Sequence, residues 1–181
     1  MTKAKSNVVT DFVAPIGVLA AICLVMSLLL ALTNFATRDA IAAAEEQEAN
    51  EARFAVMPDA DDFEPIAVEN LPENITEVYR ATNGVGYVFM ITSDGYGGRD
   101  TLNMVCGIRK DGSITATDVI SHEEDPGMGS RVAEAEFSGQ FPGKNAALEG
   151  VDTISGSTVS STYYINAIKD AFTAYNMVKE G

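Results

Sequence analysis

The apolar positions of the chain fall into three regimes. From Phe12 to Thr37 no residue is charged, and Val13 to Phe35 is dominated by Ala, Ile, Leu, Val and Met. Such a run is long enough to cross a hydrocarbon core of about 30 Å as a helix. A cleavable signal peptide is the alternative, because Ala40 to Ala44 offers small residues. Its apolar core would span only about 7–15 residues, so an uncleaved anchor is the favoured reading. Asp39 to Val56 is rich in Ala and Glu, lacks Gly and Pro, and predicts a helix continuing out of the membrane until Pro58 ends it. Asp59 to Glu73, with Pro65, Pro72 and several acids, reads as a connector.

Beyond the connector the pattern becomes strand-like. Ile75 to Thr82 and Val85 to Thr92 are joined by Asn83-Gly84, a hairpin signal. A flexible glycine-rich loop is expected from Ser93 to Gly98, then a third strand from Arg99 to Ile108. Asp111-Gly112 turns this into a fourth, Ser113 to Ser121. These four predict a small antiparallel sheet. The loop His122 to Gly129 ends it, Ser130 to Phe137 predicts a short helix, and Phe141-Pro142-Gly143-Lys144 a turn. Val151 to Ile154 suggests a last short strand. Apolar side chains then recur at Tyr164, Ile165, Ile168, Ala171, Phe172, Tyr175 and Val178, which is helical spacing, with Ser160 or Ser161 as N-cap. The expected fold is α+β: an N-terminal transmembrane helix followed by a small domain of antiparallel sheet and helices. Its divisions are residues 1–11 (cytoplasmic), 12–37 (membrane), 38–72 (juxtamembrane helix and connector) and 73–181 (domain).

Charge adds direction to this picture. The formal net charge of the 181 residues is −14, and from Asp39 onward 25 acids face 9 bases. An acidic surface repels nucleic acid, so no nucleic-acid role is expected; it also suits a plain soluble face. Lys3 and Lys5 precede the apolar run, which predicts a cytoplasmic N-terminus and a domain on the outer face; Arg38 alone argues the other way. Cys23 lies in the apolar run, Cys106 in a strand, and His122 is the only histidine. No iron–sulfur or zinc site held by this chain alone is expected.

Candidate chemistry concentrates in Asp152-Thr153-Ile154-Ser155-Gly156-Ser157-Thr158-Val159-Ser160-Ser161, where six of ten residues carry a hydroxyl. Directly before a helix, such a turn suits an anionic phosphate, because unpaired N–H groups and the positive dipole end point outward. A Ser/Thr-rich N-cap with no ligand is the plain alternative. By itself the loop from His122 to Gly129 is a Pro-Gly turn between strand and helix. One histidine beside two glutamates is weak evidence for a metal site.

Together these two stretches resemble the FMN-binding domain family, found in the G subunit of the Rnf complex and in the C subunit of the sodium-translocating NADH:quinone reductase. The family's attachment pattern is Asp, two residues, Ser or Thr, Gly, Ala or Ser, then Thr. Ser157 stands here where Ala is common. The other loop follows the family's His, Glu, acid, Thr, Pro, Gly, Leu, Gly, with Asp125 in place of Thr and Met128 in place of Leu. The Gly-Tyr-Gly-Gly turn and the Gly-Ile-x-x-Asp-Gly hairpin fit as well, and the resemblance spans roughly Asn70 to Glu180.

The resemblance implies FMN joined covalently through its phosphate to the Thr158 hydroxyl, with Ser155, Gly156, Ser157 and Ser160 around the phosphate. It implies that Glu124, Asp125, Gly127, Met128 and Gly129 border the ring; acids around Glu124 would there disfavour negative charge on a reduced flavin, so a lowered flavin potential is expected on electrostatic grounds. No catalytic acid–base residue and no resident metal are expected. Attachment would be made from FAD by a flavin transferase that brings its own magnesium. The implied role is electron relay in an Rnf complex (an ion-translocating ferredoxin:NAD⁺ oxidoreductase), with the other Rnf subunits, the flavin transferase and the lipid bilayer as partners. Three alternatives remain at this point: the C subunit of the quinone reductase, a stand-alone extracytoplasmic flavoprotein, and a cofactor-free membrane-anchored docking protein. The short chain favours the G subunit of an Rnf complex.

Overall fold

The computed structural model describes residues 13–179. The expected cytoplasmic segment 1–11, with Lys3 and Lys5, lies outside the described residues, as do Phe12, Glu180 and Gly181. The chain divides into two compact units, one ending at Glu46 and the other beginning at Gln47.

Helix α1 (Ala14–Val56) is one uninterrupted run of 43 residues. Pro15 falls in its first turn, where no backbone N–H is needed, and Pro58 lies just beyond its end. Among the described residues it is the one helix long and apolar enough to cross a membrane. The large apolar side chains of its N-terminal part are uncovered: Ile16, Leu24 and Phe35 are 65, 72 and 68 % exposed. That exposure suits lipid rather than water.

The second unit is built on a five-stranded antiparallel meander in the order β1 (Phe63–Ile66), β2 (Ile75–Ala81), β3 (Gly86–Gly95), β4 (Gly98–Arg109) and β5 (Ile114–His122). Alternation along β3 and β4 sorts the side chains into two faces. Tyr87, Phe89 and Ile91 lie opposite Ile108, Cys106 and Met104 and form the main core. Helix α3 (Thr158–Val178) covers that face with Tyr164, Ile168, Ala171, Phe172 and Tyr175. Phe137, Phe141 and Tyr164 close one end as an aromatic cluster with ring centroids 5.1–5.5 Å apart. On the opposite face Val88 and Val105 pack with Val56 and Met57, from the end of α1 and the residue after it. Gly86 and Gly107 make this approach possible, because a Cβ at either would collide with Met57 or with the Val56 carbonyl.

Several expectations need correction. The sheet has five strands rather than four, because part of the expected connector pairs with β2 as β1. Pro65 lies within β1, an edge strand, where a missing N–H is tolerated. The expected flexible loop at Ser93–Gly98 is largely strand: β3 runs to Gly95, β4 starts at Gly98, and only Tyr96-Gly97 turns between them. The helix expected from Ser130 to Phe137 is two short pieces, a 3-10 turn (Gly129–Ala133) and α2 (Ala135–Ser138), broken where Glu134 is extended.

No strand forms at Val151–Ile154. Its backbone is occupied by side chains instead: the Asp152 N–H donates to Gln140 Oε1 (2.8 Å), the Asp152 carbonyl accepts from Gln140 Nε2 (3.2 Å), and the Ile154 N–H donates to Ser161 Oγ (3.1 Å). Helix α3 begins earlier than expected, with Ser157 rather than Ser160 or Ser161 at the N-cap position.

Candidate functional site

The segment before α3 is fixed by its own hydroxyls. Ser161 Oγ donates to the Ser157 carbonyl (2.7 Å) while receiving the Ile154 N–H. Gly156 turns the chain at φ +84°, a conformation that favours glycine. Ser157 occupies the capping position but makes no side-chain bond to the helix. Its hydroxyl turns away and donates to the Met128 carbonyl at 2.6 Å. The first backbone bond of the helix runs from the Ser161 N–H to the Ser157 carbonyl. The N–H groups of Thr158, Val159 and Ser160 therefore precede the hydrogen-bonded ladder and have no cap, an arrangement receptive to an anion.

Thr158 is exposed at this end, with Oγ1 3.5 Å from the Ile154 carbonyl. It stands between two clefts. One, of about 230 Å³, is lined by Tyr96, Met128, Gly129, Gly156, Ser157, Thr158, Val159 and Ser160. The other, of about 280 Å³, runs along the outer side of α3 past Thr158, Val159, Thr162, Tyr163 and Asn166. The walls carry exposed apolar groups: Tyr96 is 62 %, Met128 56 % and Val159 48 % exposed. Sites that enclose a ligand span about 300–1,000 Å³. The first cleft is smaller, and its size fits a ligand held partly in the open.

The structure brings Gly156, Ser157, Thr158, Ser160, Met128 and Gly129 to this one cleft. Ser155 is exposed beside it, its carbonyl accepting from Arg131 Nη1 at 3.1 Å. Asp125 and Gly127 belong to the neighbouring loop, whose position 127 is exposed. There the Asp125 carbonyl accepts from the N–H groups of Met128 and Ser130, and the Gly127 N–H donates to Ser130 Oγ (2.9 Å). His122 accepts the Glu124 N–H on Nδ1 at 3.3 Å.

Glu124 lies beneath the cleft rather than on its wall. It is 5 % exposed, and its carboxyl oxygens accept from Ser160 Oγ (2.7 Å), Thr101 Oγ1 (3.3 Å) and the Gly97 N–H (3.4 Å). Sequence reasoning missed Tyr96, Val159, Thr101 and Arg131 as residues of the site. The signal for Tyr96 was its place in a Gly-Tyr-Gly-Gly turn; Thr101 and Arg131 carry none.

Comparison with known proteins identifies relatives of this chain. The model of the FMN-binding domain matches residues 95–173, a span from the Tyr96 turn into α3. Over 99 % of its length the chain is 32 % identical to the G subunit of the Na(+)-translocating ferredoxin:NAD(+) oxidoreductase complex of Acetobacterium woodii, covering 93 % of that protein. It is 29 % identical to the G subunit of the ion-translocating oxidoreductase complex of Methanosarcina acetivorans, over 93 % of this chain and 95 % of the relative. The C subunit of the Na(+)-translocating NADH-quinone reductase of Pasteurella multocida is 28 % identical over 66 % of this chain and 53 % of its own length.

Proposed function

The chain belongs to the family of G subunits of ion-translocating oxidoreductase complexes, and on that premise we propose that it is a membrane-anchored electron-transfer protein whose FMN is joined by a phosphoester bond to Thr158. The observation that carries the reading is local. An exposed threonine hydroxyl opens a helix whose cap hydroxyl is turned away, with an apolar cleft on the same side. Phosphate would lie against the free N–H groups of Thr158, Val159 and Ser160, and the flat apolar part of the ligand against Tyr96, Met128 and Val159. Gly156 lets the backbone come close. When bound, FMN itself supplies the redox chemistry, and the chain supplies position and electrostatics.

Attachment from FAD is a group transfer without redox change. The Thr158 oxygen forms a bond to the phosphorus of the FMN half, the phosphoanhydride bond of FAD breaks, AMP leaves with the electron pair, and the hydroxyl proton passes to solvent. A flavin transferase on the same side of the membrane as the domain would catalyse it. The uncharged run of α1 supports a single anchor, and the lysines before it support a cytoplasmic N-terminus with the domain outside. The role of a G subunit is favoured over that of a C subunit by the relatives matched over nearly their whole length. The chain spans 93–95 % of two G-type relatives but only 53 % of the C-type relative. Within such a complex it would work beside further membrane and peripheral proteins.

The test is Thr158→Ala in the full-length protein produced together with a flavin transferase. The variant is expected to fold and reach the membrane while showing no flavin fluorescence in a denaturing gel. Covalent flavin on the variant would reject Thr158 as the attachment point.

A further inference from the structure

Glu124 is the one buried acidic side chain among the described residues, and it does not line the cleft beside Thr158. Placing a carboxyl group out of water costs several kcal/mol unless it is provided with donors. Here the donors come from two other elements: Ser160 in the first turn of α3, and the β3–β4 hairpin through Thr101 and the Gly97 N–H. The seat is also shaped by volume. A Cβ built at Gly95 or at Gly129 would overlap the Glu124 carboxyl group, so glycine on both sides leaves room for it. One side chain thereby ties the 122–129 loop to the hairpin bearing Tyr96 and to the helix turn bearing Thr158.

That turn needs such a tie. Ser157 has given its hydroxyl to the Met128 carbonyl and does not cap the helix, and an uncapped end frays within its first turn. Ser160 lies two residues after Thr158, and its bond to Glu124 holds the turn from below. We infer that Glu124 is a positioning residue for flavin attachment: through Ser160 it fixes the Thr158 hydroxyl and the free N–H groups relative to the Tyr96 and Met128 wall. The inference rests on the reading that Thr158 carries the flavin. Misplacing a reacting group by about 1 Å can cost on the order of 10²-fold in rate. Losing the tie should therefore be felt in the transfer step more than in recognition of the domain.

The experiment uses the full-length protein made without a transferase, purified in detergent, and then given FAD, magnesium and a flavin transferase. Initial rates of covalent labelling are read by in-gel fluorescence against acceptor concentration, at a temperature well below the melting point of every variant. Glu124→Ala and Ser160→Ala are each expected to lower kcat for transfer by about tenfold or more, while leaving KM for the acceptor within about twofold. The double variant should be no slower than the slower single one, because the Ser160–Glu124 bond is already absent from each single variant. If Glu124→Ala does not fold, Ser160→Ala decides alone, since it leaves the carboxyl group its Thr101 and Gly97 partners. Wild-type kcat in the folded variants, a rise in KM at unchanged kcat, or losses that multiply in the double variant would overturn the inference. Thr158→Ala runs alongside: flavin on that variant would reject the reading of Thr158, and this inference with it, independently of any Glu124 result.

Discussion

Ser157 illustrates how a residue can be legible in type and not in role. Its place in a hydroxyl-rich run before a helical pattern marks a helix start, yet its hydroxyl bonds the Met128 carbonyl 29 residues earlier instead of the helix. The Thr158 motif could be read because its residues are contiguous and their backbone geometry is local. The Glu124 seat could not, because Gly97, Thr101 and Ser160 lie 23 to 36 residues away and meet only through the fold. Cys106 gives a test at this scale. Burial alone pushes its thiol well above the ordinary range, so the folded protein keeps a proton that the unfolded chain releases near about pH 8.5. The unfolded state then binds fewer protons, and stability falls as pH rises through and beyond that value, by up to about 1.4 kcal/mol per pH unit. Urea midpoints of the wild type should drop between about pH 8 and pH 10 more steeply than those of Cys106→Ala. Parallel pH dependences in the two proteins would contradict that expectation.

Among the elements, those with long periodic patterns were the readable ones. The core strands, α1 and α3 announce themselves by alternation or helical spacing. The missed elements are short or borrow their partners: β1 has four residues including Pro65 and exists only by pairing with β2, while Val151–Ile154 is held by Gln140 and Ser161 instead of by a strand. The aromatic cluster of Phe137, Phe141 and Tyr164 joins α2 and the segment after it to α3, and Phe137 shares a cleft with Asp152, Thr153 and Ile154 ahead of Thr158. Phe141 is fully buried. Phe141→Ala is expected to cost about 3–5 kcal/mol by combining lost burial with a cavity. Chemical denaturation read by circular dichroism checks this, and a loss under about 1 kcal/mol would show that the cluster does not anchor this end.

At the scale of the whole molecule, labour is divided between an apolar helix and an acidic domain whose proposed point of attachment is one exposed threonine. The proposed role asks the protein for no acid–base chemistry. A hydroxyl, uncapped N–H groups and an apolar cleft are what a tethered carrier requires, and on the proposed reading a covalent tether would keep the flavin on the protein. The FMN-binding domain match lies within the second unit, and the similarity to the G-type relatives spans 93–99 % of the chain. Covalent carriage of flavin by Thr158 is decided by the intact mass of the full-length protein produced with an active flavin transferase, followed by peptide mapping. A gain of one FMN less one water, located on the peptide holding Thr158, is expected. An unmodified mass, while the same transferase labels a known acceptor, would refute covalent carriage and favour a docking protein without a cofactor.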